Sequence, residues 1–302
     1  MNKKKQKQAN TNDIFSSFEM LNQKPKEFRP KTLAIIQKAE QIISQYNVQM
    51  TIRQIYYRFV AEQIIPNNLN SYKKLARILG DARKAGYIDF NSIVDRTRQP
   101  IKDGSWPTTK DFFSTVKTSY RRELLKDQDK HIEVWIEKDA LAGVLEPVTN
   151  KYDVYLQVCR GYPSLSSLYQ ADVRMRNSGK SPTILYFGDF DPSGKDISRS
   201  IGDSFMDVFF SPVVLHEIAL TREDIDNYKL PPSPAKSSDS RYRDFVARNG
   251  NVSVELDALP PDVLVAKAET AIRRHIDIAK YENQLKRESR DKTQIENLLA
   301  KL

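Results

Sequence analysis

The run Ile184-Leu185-Tyr186-Phe187, together with the acidic turn after it, constrains the fold more than any other stretch of the chain. Four consecutive apolar residues between Pro182 and Gly188 predict a strand covered on both faces, as inside a parallel sheet. Asp189 and Asp191 come next. Residues two apart in extended chain point the same way, so both carboxylates leave the strand end together. Two adjacent anions are costly unless positive charge lies between them. A hard divalent cation such as Mg²⁺, bound through oxygen, is one way to supply it. A loop with two solvated aspartates is the other reading. Pro192 and Ser193 suit a helix start, and free helix amides favour a phosphate at the same place.

The flanking sequence repeats the theme. Residues 131–136, 154–158 and 213–218 predict strands, and 139–149, 164–176 and 194–210 predict helices. That alternation predicts a largely parallel sheet with helices on both faces. A last strand is predicted over 252–256. The first strand ends Val134-Trp135-Ile136-Glu137. In open parallel sheets ligands bind at the carboxyl ends of strands. Glu137, Asp189 and Asp191 are therefore candidate ligands of one or two metal ions acting on a phosphodiester. Whether Glu255 or Asp257 joins them stays open.

The N-terminal part has a different rhythm. Residues 1–27 are predicted to be a basic, disordered tail. Leu33, Ile36, Ala39, Ile42 and Ile43 recur at helical spacing over 31–46. Thr51 fits an N-cap for a helix over 52–63, and Asn70 or Ser71 opens a third over 72–85, closed by Gly86. Residues 87–94 predict a strand or short wing. Three helices and a wing describe a winged helix-turn-helix, whose third helix enters the major groove of DNA. Lys73, Lys74, Arg77, Arg83 and Lys84 lie on that helix, and Arg96 and Arg98 extend the basic surface. A helical domain with a solvated basic face is the alternative. The net charge of +9 and pI of about 9.3 agree with a nucleic-acid partner. The single cysteine excludes an internal disulfide, and three scattered histidines speak against a histidine metal site. No apolar run approaches the roughly 18 residues of a membrane span. A cytoplasmic, nucleoid-associated protein is the expectation.

In the second helix Ile52, Ile55, Tyr56, Phe59 and Val60 form the core stripe. Tyr57 lies about 100° round from Tyr56 and is predicted to lean toward solvent beside Arg53, one turn earlier. A tyrosine there is either a nucleophile aided by a cation or a surface residue stacked on a neighbour.

Taken together, Thr51-Ile-Arg53-Gln-Ile-Tyr-Tyr57, Ile136-Glu137-Lys138-Asp-Ala-Leu141 and Asp189-Phe-Asp191-Pro-Ser-Gly194-Lys-Asp-Ile197 resemble the motifs of the DNA topoisomerase VI A-subunit family. This type IIB group includes the meiotic double-strand-break protein and the Mini-A proteins. The likeness spans about residues 30–225, and Gly161-Tyr-Pro163 resembles a further family segment. Ser164 to Leu168 stand where that family carries a Thr-Arg pair, and residues 220–260 look like a separate branch.

The resemblance implies an α/β chain with an α+β N-terminal part: a winged-helix domain over 28–98, a linker and helix over 99–126, a Rossmann-like Toprim domain over 127–260 and charged helices over 261–302. It implies a homodimer that cuts double-stranded DNA, each Tyr57 attacking near its partner's metal site and becoming joined to a 5′ end. Arg53 would assist. Glu137, Asp189 and Asp191 would hold Mg²⁺, with Mn²⁺ able to replace it. Strand passage would call for a separate ATPase subunit of the B type. Two alternatives stay open: a hydrolytic Toprim nuclease that does not need Tyr57, and a non-catalytic winged-helix DNA-binding protein.

Overall fold

The computed structural model of the chain describes residues 27–46, 49–94 and 104–300. The basic tail, Arg96, Arg98 and the first part of the 99–126 connection lie outside the described residues. Three helices begin the structure: α1 (Pro30–Ser44), α2 (Ile52–Ala61) and α3 (Leu69–Lys84). Thr51 caps α2 in a reciprocal box with Gln54: Gln54 N donates to Thr51 Oγ1 (3.2 Å) and Thr51 N to Gln54 Oε1 (2.8 Å). Asn68, two residues ahead of the expected position, caps α3 by accepting from Ser71 N at 2.9 Å. Gly86, at φ +78°, closes it in the left-handed conformation that glycine adopts without strain. Ile36, Ile42, Ile55, Phe59, Leu75 and Leu79 bury one another where the helices meet.

The expected wing strand over 87–94 does not form. A 3₁₀ turn, Phe90–Ser92, and one parallel bridge between Met50 and Ile93 stand in its place. Asp89 caps that turn by accepting from Asn91 N at 2.8 Å, and Arg83 donates to Phe90 O at 2.9 Å. These bonds hold the segment against the end of α3.

After α4 (Thr109–Ser119) come β1 (Lys130–Ile136), α5 (Asp139–Tyr152), β2 (Tyr155–Val158), α6 (Leu165–Ser178), β3 (Ser181–Phe187), α7 (Pro192–Asp207) and β4 (Val214–Ala219). The four strands are parallel, in the order β2-β1-β3-β4, with Ile136 opposite both Val158 and Phe187. Side chains alternate as a strand's period of two requires. Val134, Ile136, Leu185 and Phe187 face one way, onto α5. Trp135, Ile184 and Tyr186 face the other, onto α6 and α7. The remaining helices are α8 (Arg222–Asn227), α9 (Tyr242–Asn249), α10 (Pro261–His275) and α11 (Ile278–Leu299). None of the described helices is long and apolar enough to cross a membrane.

The strand expected over 252–256 reduces to isolated antiparallel bridges, Val254 to Phe190 and Ser253 to Ser233, before a 3₁₀ turn, Leu256–Ala258. Both edges of β3 are already taken by β1 and β4, so this segment pairs only with the loops beyond the sheet. The turn packs against α2, and one apolar core runs unbroken from α1–α3 through Leu256 to the α5 face of the sheet.

This topology sets the position of a crevice. The chain leaves β1 toward α5 on one face and leaves the neighbouring β3 toward α7 on the other. Adjacent strands whose connections diverge open a cleft at their carboxyl ends. Glu137 follows β1 there and Asp189 follows β3.

Candidate functional site

Glu137 continues the β1 ladder, its amide donating to Phe187 O at 2.9 Å. Its Oε2 reaches across and accepts from Asp189 N at 2.9 Å. Asp189 Oδ1 accepts in turn from Leu256 N at 2.7 Å, so the 256–258 turn forms the back wall of the crevice. Asp191 caps α7, its Oδ1 accepting from Gly194 N at 2.7 Å. Gly194 is dictated by this approach: a Cβ there would lie 2.3 Å from Asp189 O. The Asp-x-Asp-Pro-x-Gly pattern is thus a strand end, a capping carboxylate and a helix start packed directly onto the strand's last backbone.

Lys138 occupies the centre of the acidic cluster. Its Nζ lies 3.0 Å from Asp189 Oδ1, 2.9 Å from Glu255 Oε2 and 2.8 Å from Asp257 Oδ2. Asp257 is fully buried, and neither of its oxygens has a hydrogen bond of good geometry despite that ion pair. Burial, reinforced by Glu137 and Asp191 and opposed by Lys138, pushes the Asp189 carboxyl up to about 7. Burial likewise raises Glu137, against the Asp189 amide and Lys138. Glu255 moves the other way, down to about 2, because Lys138 and Arg53 together outweigh its burial. Five carboxylates thus face two cations, an excess of negative charge in a partly dry site.

Tyr57 and Arg53 reach the same place from the helical half. They line a cavity of about 360 Å³ together with Lys138, Asp189, Asp191 and Glu255. Arg53 Nη2 holds both Glu255 oxygens, at 2.7 and 2.6 Å. Asn67 Nδ2 donates to Ser233 Oγ at 3.0 Å, and Arg58 donates to the Ala258 carbonyl. Helical spacing alone predicts a solvent-facing Tyr57, and this needs correction: Tyr57 is only 5% exposed. The second face of α2 meets the 256–258 turn, so a residue one step off the core stripe meets protein where water was expected. Burial, with Glu255 adding and Arg53 and Lys138 opposing, raises the phenol well above the ordinary tyrosine value. Where the resemblance implies a tyrosine serving a partner's acidic site, within this single chain Tyr57 lines its own.

Among the described residues no three acidic, histidine or cysteine side chains stand ready around a metal ion. The geometry gives the reason: one oxygen each of Glu137, Asp189 and Asp191 is engaged by a backbone amide, and an ammonium holds the centre. Of the basic residues, Lys73, Lys74, Arg77 and Lys84 are exposed on α3. They span an arc of roughly 100° opposite the buried Leu75, Ile78, Leu79 and Ala82. Arg83 is instead tied to the Phe90 carbonyl and lies 4.8 Å over the Phe90 ring. A larger cavity, about 1260 Å³, opens at the amino ends of β1 and β2 beside Lys130, Arg174 and Lys180. It lies at the end of the sheet remote from Glu137 and Asp189.

Lys138, Glu255 and Asp257 are the residues that strand-end reasoning does not single out as part of the centre. Glu255 and Asp257 carry a faint signal, an acidic pair two apart before a proline-rich stretch. Lys138 carries none, since neighbours in extended chain point to opposite faces and only the turn after β1 brings Glu137 and Lys138 to one side. No family model matches the chain, and no curated protein matches it in sequence.

Proposed function

We propose that the chain is a metal-dependent DNA-cleaving enzyme of the topoisomerase VI A type, built as a winged-helix unit (α1–α3) on a Toprim-like sheet. The observation that carries this reading is the shared cavity: a tyrosine and an arginine from the helical half meet two carboxylates at the crevice between β1 and β3. The cationic arc of α3 supplies a surface for duplex DNA, with phosphate contacts giving position.

In the reaction, the Tyr57 oxygen gives up its proton and forms a bond to phosphorus. The bond from phosphorus to the 3′ oxygen breaks, and that oxygen leaves as a hydroxyl after taking a proton. Tyr57 is then joined to the 5′ end. Arg53, which lines the same cavity as the phenol, steadies the phenolate and is itself oriented by Glu255. Asp191 is fixed by the cap it makes on α7, and Glu137 by the Asp189 amide.

The excess of carboxylates repels a phosphodiester unless more positive charge arrives. Glu137, Asp189 and Asp191 would hold the cation by closing in from their present spacing: all offer oxygen, the preference of Mg²⁺ or Mn²⁺, and the nearby Asp257, paired with Lys138, has buried oxygens without hydrogen bonds. Bound there, Mg²⁺ would supply charge beside the scissile phosphate.

The test is a covalent protein–DNA adduct on supercoiled duplex in the presence of Mg²⁺ or Mn²⁺, trapped by denaturant. Tyr57→Phe must abolish it. Hydrolytic cleavage by the same acidic residues is the second reading, favoured by the burial and raised phenol of Tyr57. Cleavage that survives Tyr57→Phe and leaves no adduct would decide for it. A separate ATPase subunit and a homodimer belong to the first reading. A sedimentation measurement with and without DNA tests the homodimer.

A further inference from the structure

The site holds a cation of its own. The Lys138 ammonium contacts three carboxylates, Asp189, Glu255 and Asp257, all within 3.0 Å. An ammonium has three protons, but of these contacts only that to Glu255 has hydrogen-bond geometry. The fit is therefore imperfect. Asp257, wholly buried, contributes two oxygens that make no hydrogen bond of good geometry, and the cage still carries more negative than positive charge. Three carboxylates around one monovalent centre, Asp257 wholly buried, Asp189 mostly buried and Glu255 about one-third exposed, resemble the shell of a divalent ion more than that of a lysine, which is seldom buried except in a balanced pair. Lys138 also has room to leave. It stands at the turn from β1 into α5 on a flexible four-carbon stem, and its side chain lines the 360 Å³ cavity.

We propose that Lys138 is a built-in placeholder: its ammonium neutralises the acidic cage in the cation-free protein and swings into the cavity when a divalent cation enters. This rests on the metal-dependent reading above and assigns it a positioning residue. Without the placeholder, the unpaired carboxylates of the 255–257 segment would repel one another and Asp189, and the back wall of the crevice would loosen. With it, the protein keeps the cage closed, and cation binding delivers a positive side chain to the space where a phosphate would lie. Arg53 stays on Glu255 in either state, so the α2 contact need not break when Lys138 moves.

The experiment is Mn²⁺ binding by calorimetry, without DNA, on the full chain. The variants are wild type, Lys138→Met, Asp257→Asn and the Lys138→Met/Asp257→Asn double variant. The double variant removes one charge of each sign and keeps a folded comparison available if Lys138→Met alone is unstable. Removing a like charge a few Å from the ion is expected to tighten Mn²⁺ binding on the order of tenfold or more, both in wild type and in the Asp257→Asn background. A lysine with a purely structural role predicts equal or weaker binding in both, and that result overturns the proposal while leaving the metal reading intact. Absence of Mn²⁺ binding in every variant, the double included, removes both.

Discussion

Gly194→Ala tests whether the crevice is built as described. The new Cβ would fall 2.3 Å from Asp189 O, 3.0 Å from its carbonyl carbon and 3.1 Å from its amide nitrogen. All three are backbone atoms, so no side chain can turn aside, and the first turn of α7 must lift off the end of β3. Overpacking of this kind costs about 1–3 kcal/mol. At about 2–4 °C per kcal/mol for a large chain, the melting temperature should fall by roughly 2–12 °C. The same displacement pulls Asp191 from its cap and Asp189 from Leu256, so Mn²⁺ binding should weaken as well. Gly202, two turns along the same helix, is the control, because a Cβ there meets nothing within 4 Å. Gly202→Ala should stabilise by about 0.5–1 kcal/mol through helix propensity and a less flexible unfolded chain. Differential scanning calorimetry with parallel Mn²⁺ titration reads both variants. If Gly194→Ala melts with wild type or above it, the close approach of α7 to Asp189 is wrong, and the account of the Asp-x-Asp-Pro-x-Gly pattern goes with it.

Three further outcomes are expected. Burial pushes the Asp189 carboxyl up to about 7, above its unfolded value of about 4; the folded chain holds that proton between the two, and the stability it contributes is lost as pH rises from 4 through 7. Added Mg²⁺ should therefore raise the melting temperature more at pH 8 than at pH 5.5, and equal shifts would count against a cation among these carboxylates. Lys73→Ala, Lys74→Ala and Arg77→Ala should each flatten the salt dependence of duplex binding by about 0.9 for every phosphate contact removed, read by fluorescence anisotropy, whereas Arg83→Ala should chiefly lower the melting temperature; an unchanged salt slope rules out α3 as the DNA face. Burial, with Glu137 adding, pushes the Cys159 thiol up to about 12, so native chain at pH 8 should react with a thiol reagent roughly a thousandfold more slowly than denatured chain; fast native labelling would mean the β2 end opens freely.

Much of this arrangement is legible in the sequence, and the remainder has a physical reason for being hidden. The apolar runs ending at Ile136 and Phe187 mark the two central strands because a buried parallel strand shows no alternation to confuse with a loop. Thr51 and Gly86 mark helix ends through local hydrogen bonding and backbone freedom, which depend on little else. Asp189 and Asp191 are visible as a pair for the same reason. The errors arise where tertiary partners decide. Tyr57 reads as exposed because a helical wheel knows one buried face, and the 256–258 turn covers a second. Residues 87–94 and 252–256 carry strand-like composition but make only isolated bridges to loops away from the sheet. Lys138 is seen by no pattern, since its partners Glu255 and Asp257 lie well over a hundred positions away.

That last separation bears on how the protein comes into being. The crevice draws on four segments, around residues 53–57, 137–138, 189–191 and 255–257, and the last supplies the amide that holds Asp189 and two of the three partners of Lys138. Contacts between such distant segments form late, after the entropy of closing long loops has been met. A nascent chain whose emerged part ends near residue 250 has the strands of its sheet and its Tyr57, but neither α10 nor α11, no back wall to seat Asp189, and Lys138 left with Asp189 as its one partner of the three. The crevice is thus complete only once residues 255–257 have been made and docked, and a half-made chain has no finished cavity between Tyr57 and Asp189.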